Sequence, residues 1–305
     1  MSTLQEITDY DQLTGKQVKA FMTMCGGLDV VIGALAGEKK ITVEDVIRRL
    51  FDKNGRCIPT ANKTIVTASV CDPNLTYHLD RLADDFDSAQ ALNLWCKAFR
   101  QNVLISEADY KTRIAVLVEQ IKSDLRIANL LKGAWYPILL PKITRGDYGD
   151  ILEREFLPAV KRGYERAFTN RTFVNHRAGE LSERVTIVDE RHKQLIAGME
   201  HEQIVGIVCY PLQGFSVHAQ RQMATLMSDN FSLLVAMDAA VADALYPLQL
   251  SRDNNTPVRD CSAVQWRDSG YSLDFNASDD RLAFGRRSDL GAAAERYGGG
   301  FLLRG

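Results

Sequence analysis

The period of the hydrophobic pattern changes along this chain, and that change limits what it can fold into. Tyr110, Ile114, Leu117, Ile121, Leu125 and Ala128 recur at spacings of three and four, the repeat of one helix face. In Tyr271-Ser272-Leu273-Asp274-Phe275 the period is two, as on a half-buried antiparallel strand. A chain that obeys both periods in separate stretches is α+β. We expect a mostly helical N-terminal part and a smaller, mixed α/β C-terminal part ending in short antiparallel strands. The 305 residues suit one large domain or two of ordinary size. A division into residues 1–170 and 171–305 is expected, with the boundary near Thr169 to Gly179.

Local signals place the elements. Thr14 is a suitable N-cap for a helix from Gly15 to Cys25, which Gly26-Gly27 breaks. Leu28 to Ala36 then forms a second helix ending at Gly37. This pair invites a helix-turn-helix reading, but Leu28-Asp29-Val30-Val31-Ile32-Gly33-Ala34-Leu35 is almost wholly apolar. A recognition helix needs polar side chains for a groove, so the pair reads as an interaction hairpin or as core. A strand is expected near Thr64 to Val70 and a helical face through Leu79, Leu82 and Phe86, continuing to Cys96. Ser106 followed by Asp109 marks the start of the clearest helix. Trp135 to Pro141, braced by two prolines, is too rigid for a helix and too apolar for a surface loop. A helix from Tyr148 to Phe168 should kink at Pro158, and another from Phe231 to Tyr246 should stop at Pro247.

Further on, Val185 to Val188 reads as a strand, Glu190 to Met199 as a helix and Ile204 to Tyr210 as a buried strand. Ser216 caps a helix through Leu226. This order suggests a βαβ-like unit. Ala263 to Arg267, Tyr271 to Asn276, Arg281 to Gly285 and Phe301 to Leu303 complete the chain as short strands.

Charge and cysteines exclude some classes. With 37 basic and 39 acidic residues, the chain lacks the cationic excess of a protein that neutralises many phosphates. Cys25, Cys57, Cys71, Cys96, Cys209 and Cys261 show neither zinc-knuckle nor Cys-x-x-Cys spacing, which favours a reducing compartment. The polar start Met1 to Glu6 has no signal-peptide pattern. Phe231 to Leu245 is interrupted by Asp238 and Asp243, too short and too charged to span a bilayer. A cytoplasmic location with no membrane attachment is therefore expected.

Phosphate-cradling loops, zincin motifs and nucleophile elbows are absent, so neither cofactor nor metal is expected. The densest titratable region runs from Asp189 to His218. On the βαβ reading, Asp189, Cys209 and Tyr210 lie at the carboxyl ends of two strands and Ser216 and His218 in the next loop and first helical turn, where open α/β sheets bind ligands. Cys209 as nucleophile, His218 as base and Asp189 as its orienting partner would make a hydrolase-like site. The competing reading is an inert thiol in an apolar strand and a solvated helix face. The stretch Arg145–Lys193 interleaves arginines with glutamates. It is either a salt-bridged face or, with the acids turned away, a nucleic-acid surface. Trp266, Tyr271, Phe275 and Phe284 are sheet core or a stacking platform.

Three phrases stand out: Arg49-Leu50-Phe51-Asp52-Lys53-Asn54-Gly55-Arg56-Cys57-Ile58-Pro59, Tyr210-Pro211-Leu212-Gln213-Gly214-Phe215-Ser216, and Tyr297-Gly298-Gly299-Gly300-Phe301-Leu302-Leu303. Together they resemble a family of uncharacterised bacterial proteins of similar size. That likeness covers most of the chain and implies no activity, ligand or catalytic residue. The leading expectation is a non-enzymatic interaction or assembly protein, with a protein partner or self-association ahead of nucleic acid.

Overall fold

The computed structural model describes residues 14–40, 48–73, 76–82 and 86–305. Two compact units are present, Met1–Ile47 and Arg48–Gly305.

The smaller unit holds α1 (Gly15–Met24) and α2 (Leu28–Leu35). Thr14 caps α1 as expected: its hydroxyl accepts from the Gln17 N–H while the Gln17 side chain accepts from the Thr14 N–H. Gly26 and Gly27 take φ of 93° and 101°, left-handed values that side chains resist, and they turn the chain into α2.

The larger unit begins with 3-10 turns at Pro59–Ala61 and Thr67–Ser69, then α3 (Ser88–Phe99) and α4 (Glu107–Ser123). A 3-10 turn (Ala128–Lys132) leads to β1 (Trp135–Leu140). Next come α5 (Tyr148–Ile151), a π turn (Leu152–Phe156), α6 (Leu157–Ala167), β2 (Thr172–Asn175) and β3 (Val185–Ile187). After these follow α7 (Glu190–Met199), β4 (Ile204–Cys209), α8 (Val217–Ala224), β5 (Phe231–Leu233), α9 (Ala236–Leu245) and α10 (Pro247–Leu250). The chain closes with β6 (Val258–Cys261), β7 (Val264–Trp266), β8 (Ser272–Ala277), β9 (Arg281–Arg287), β10 (Tyr297–Gly298) and β11 (Phe301–Arg304). The architecture is α+β, with strands concentrated toward the C-terminus.

One sheet has the order β1-β4-β11-β5 with every pair antiparallel. β1 carries Pro137, which is tolerated because an edge strand leaves one row of N–H groups outside the ladder. A second sheet has the order β10-β6-β8-β9-β2, with parallel pairs only at its two edges. β3 and β7 pair separately. Helix α9 is buried at every residue and packs on β1 and β4 of one sheet, on β6 and β8 of the other, and on α6 and α3. The approach of α6 is close: a Cβ on Gly163 would lie 2.2 Å from the Ala244 carbonyl oxygen.

Several expectations change. The strand and helix around α7 form no βαβ unit, because β3 pairs with β7 while β4 lies in the other sheet between antiparallel neighbours. Phe231–Leu233 is strand rather than helix, because β11 offers it a ladder and the helical period begins only at Ala236. Thr64 to Val70 is not a strand: Asn62 holds the Thr64 N–H and hydroxyl, and only Val70 forms a bridge, to Phe215. The helix expected from Leu75 onward starts at Ser88, capped by Asp87, and residues 74–75 and 83–85 lie outside the described residues. Pro158 has no N–H to return to the Arg154 carbonyl, and the turn before it is the π turn. The segment Thr169 to Gly179 lies within the larger unit, and β1 on one side of it pairs with β4 on the other.

Asp243 of α9 faces Arg259 of β6, both 1% exposed or less. Arg259 Nη2 donates to Asp243 Oδ1 at 2.8 Å and to Ser251 at 3.0 Å, and Nε donates to Asp243 Oδ2 at 3.3 Å. Nη1 donates to the carbonyls of Leu250 and Pro257. Removing one partner strands the other charge in the core, so Arg259→Leu should cost about 3–5 kcal/mol of unfolding free energy in urea titration.

Candidate functional site

The α1–α2 pair is apolar on more than one face. Val18, Met22, Cys25, Val30, Val31 and Ala34 are half-buried where the helices meet. On α2, Leu28, Ile32 and Leu35 are 55%, 53% and 85% exposed. They recur at i, i+4 and i+7, which places them in one stripe. Phe21 and Met24 of α1 are also exposed. Helices of 10 and 8 residues are too short to be stable alone in water.

The larger unit contains a cleft of about 530 Å³, within the size range of small-molecule sites. All three distinctive sequence phrases meet there, through Asp52, Asn54 and Arg56 from the first, Tyr210, Pro211 and Gln213 from the second, and Gly298 from the third. The Arg56 guanidinium donates to the carbonyls of Gln213 (Nε, 3.0 Å) and Cys71 (Nη2, 2.6 Å) and lies 5.4 Å from the Phe215 ring centre. Carbonyls orient the guanidinium without neutralising it. Burial lowers the Arg56 pKa, opposed by the charges of Asp72 and Asp52. Gly55 (φ 81°) sits so close to Gly133 that a Cβ would lie 2.3 Å from its nitrogen, which binds the turn carrying Arg56 to the segment carrying Lys132. The Cys57 N–H donates to the Pro211 carbonyl at 2.9 Å and the Gly214 N–H to Tyr297 at 2.7 Å. Tyr210 is 9% exposed, and its hydroxyl has no hydrogen-bond partner among the described residues. Periodicity gave no warning of this cleft, because its residues come from loops.

Cys209, His218 and Asp189 occupy three different environments. Cys209 is 0% exposed in β4, between Trp135 and Phe301, and burial pushes its thiol pKa up. His218 is exposed at the start of α8, with its backbone N–H on the Leu290 carbonyl. Asp189 caps α7: its carboxylate accepts from the N–H groups of Arg191 (3.0 Å) and Leu233 (2.9 Å). No hydrogen bond joins these three side chains among the described residues.

A different cluster lies nearby. His192 Nδ1 is 3.3 Å from Ser232 Oγ and 3.5 Å from Asp238 Oδ2, all in the core. A hydrolytic triad addresses the two imidazole nitrogens separately, whereas both partners here approach Nδ1 and Nε2 has none. Burial pushes His192 down to about 3 and Asp238 well above the usual carboxylate range. The His192 imidazole is therefore neutral at pH 7. No group of metal-ligating side chains occurs among the described residues.

In Arg145–Lys193 the charges answer one another: Arg154 with Asp150 at 2.7 Å, Lys161 with Glu165 at 3.9 Å, Arg177 with Glu180 at 3.3 Å and Lys193 with Glu190 at 2.6 Å. Arg162 donates to the Ala98 carbonyl and Arg191 to three carbonyls. Of the aromatic strand residues, Trp266, Phe275 and Phe284 are 0% exposed and belong to the core.

Two measurements check these placements. A thiol reagent should modify Cys25, Cys71 and Cys96 in the native protein and reach Cys57, Cys209 and Cys261 only on unfolding. Rapid labelling of Cys209, identified by peptide mass, would instead put its thiol within reach of substrate. His192 has a folded pKa below its unfolded one, so its contribution to stability is full above about pH 6.5 and declines toward pH 3. Its ring proton resonances should stay flat from pH 8 to pH 5, and a midpoint near 6.5 would contradict the burial. No family model, curated protein or solved structure matches this chain.

Proposed function

We propose that this is a non-enzymatic interaction and assembly protein whose α1–α2 pair docks against the same pair of a second copy. The exposed stripe Leu28, Ile32 and Leu35 carries the reading. Such a stripe is a helix-in-groove anchor pattern, and it lies on helices too short to persist uncovered.

The charge layout favours a second copy as the occupant. α2 carries Asp29 in its first turn and no basic residue in its last, while Lys39 and Lys40 follow its end. In a two-fold, antiparallel pairing the Asp29 of each copy faces the lysines of the other, and the two helix dipoles oppose. No described helix is long and apolar enough to cross a membrane. The two helices together meet that length and composition, but they are bent by 83° at the glycine break.

Light scattering on the full chain at tens of micromolar tests the reading. The expected mass is a defined multiple of 34.1 kDa, reduced to the monomer by Leu28→Ser with Ile32→Ser and Leu35→Ser. Asp29→Lys should weaken association, and Lys39→Asp with Lys40→Asp should restore it. A wild-type monomer, an oligomer that survives the triple substitution, or a monomer that co-sediments with neutral lipid vesicles would overturn it.

A further inference from the structure

We infer that Asp260 and Asp274 are a proton-binding pair whose ionisation loosens segment 289–297, the stretch that leads into the cleft at Gly298. The inference stands apart from the assembly reading and concerns the larger unit alone.

The sheet register places the pair. In the ladder of β6 and β8, Asp260 stands opposite Asp274, so the two carboxylates project from the same face. Asp274 lies over Gly285 of β9, where a Cβ would be 3.1 Å from its Oδ1. Arg287, two residues further along β9, shares that face and is 4% exposed. Asp260 is 1% exposed. Its Oδ2 accepts from the Gln220 amide of α8 at 2.9 Å, and its Oδ1 has no partner among the described residues.

The charges do not balance when both aspartates ionise. Arg287 acts on both carboxylates, yet it donates to the carbonyls of Asp289 at 3.0 Å and Ala292 at 2.7 Å. Its Nη1 has no partner among the described residues. The neighbouring charges are matched elsewhere: Arg259 pairs with Asp243, and Arg177 with Glu180. Arg221 of α8 donates to the Ser262 and Val264 carbonyls. Within the segment, the Asp289 carboxylate accepts from the Ala292 N–H, Arg296 lies over the Tyr297 ring, and Glu295 acts on Cys71. Burial keeps Cys261 a neutral thiol. Two buried carboxylates side by side, faced by one guanidinium, favour retention of a proton. Burial accordingly pushes Asp260 up to about 7 and Asp274 up to about 6, against the pull of Arg287.

Arg287 is the link to the segment. An ionised Asp260 or Asp274 competes for its guanidinium with charge-assisted hydrogen bonds, which are stronger than those to carbonyls. The far end of the segment reaches the cleft. The Glu295 carbonyl accepts from the Gln213 amide at 3.1 Å and the Arg296 carbonyl from the Val258 N–H at 2.7 Å. Gln213, Val258 and Gly298 all line the cleft.

Three measurements on the full chain test this. Carboxyl carbon NMR of aspartate-labelled protein should show two resonances titrating between about pH 5.5 and 8. One should disappear in Asp260→Asn and the other in Asp274→Asn. Amide exchange in residues 289–297, corrected for the intrinsic rate at each pH, should quicken severalfold from pH 6 to pH 8 and stay flat in the double variant. Folded values above the unfolded ones mean that the pair's contribution to stability is full below about pH 4 and is lost as pH rises through 6 and 7. Asparagine mimics the protonated form, so each variant should raise the urea midpoint at pH 8 and give no gain at pH 5.5. Carboxyl midpoints below pH 5, wild-type exchange in the segment that ignores pH, or an equal effect of the substitutions on stability at both pH values would overturn the proposal.

Discussion

The ion pair between Asp243 and Arg259 fixes how the central helix docks on the second sheet, because both charges are buried where the two meet. α9 lies between two sheets and must satisfy both. Toward the first sheet it uses apolar packing and the Tyr246 hydroxyl, which donates to the Pro137 carbonyl at 2.6 Å. Toward the second it uses Asp243, whose charge is tolerable only because Arg259 and Ser251 meet it. A buried pair of this kind adds little net stability against an apolar replacement of both residues. Its effect is specificity, since any other docking of α9 leaves two charges unmatched in the core.

The two units treat apolar surface in opposite ways. In Arg48–Gly305 the central helix and the strands β4 and β11 are covered on both sides, so their apolar residues sit near zero exposure. Among the described residues of Met1–Ile47, the two helices meet along one face and leave Leu28, Ile32 and Leu35 exposed on another. The difference is one of size, because two short helices cannot enclose what they expose.

Polar groups in the larger unit fall into two sets. The His192–Asp238–Ser232 cluster is sealed, uncharged at the imidazole and arranged around one nitrogen, which suits a structural role. The groups around the cleft come from loops and several of them, among them Asn54, His78 and Lys132, are exposed. Burial alone therefore separates two clusters that look equally chemical by residue type.

Much of the local structure was legible in sequence. Thr14, Ser106 and Ser216 cap the helices they precede, and α7 has the predicted span of Glu190 to Met199. The terminal strands lie where alternation put them. These succeed because a cap or a period depends on neighbours a few residues away. What the sequence by itself determined is therefore the list of elements and the apolar character of the N-terminal helix pair. Only the tertiary structure decided which sheet each strand joins, that Phe231–Leu233 is strand, that Cys209 and Asp189 stand apart, and that three distant loops form one cleft. Strand pairing and loop convergence depend on residues that are tens to more than a hundred positions apart, as with Pro137 and Ile207 or Arg56 and Gln213, and no local period carries that information.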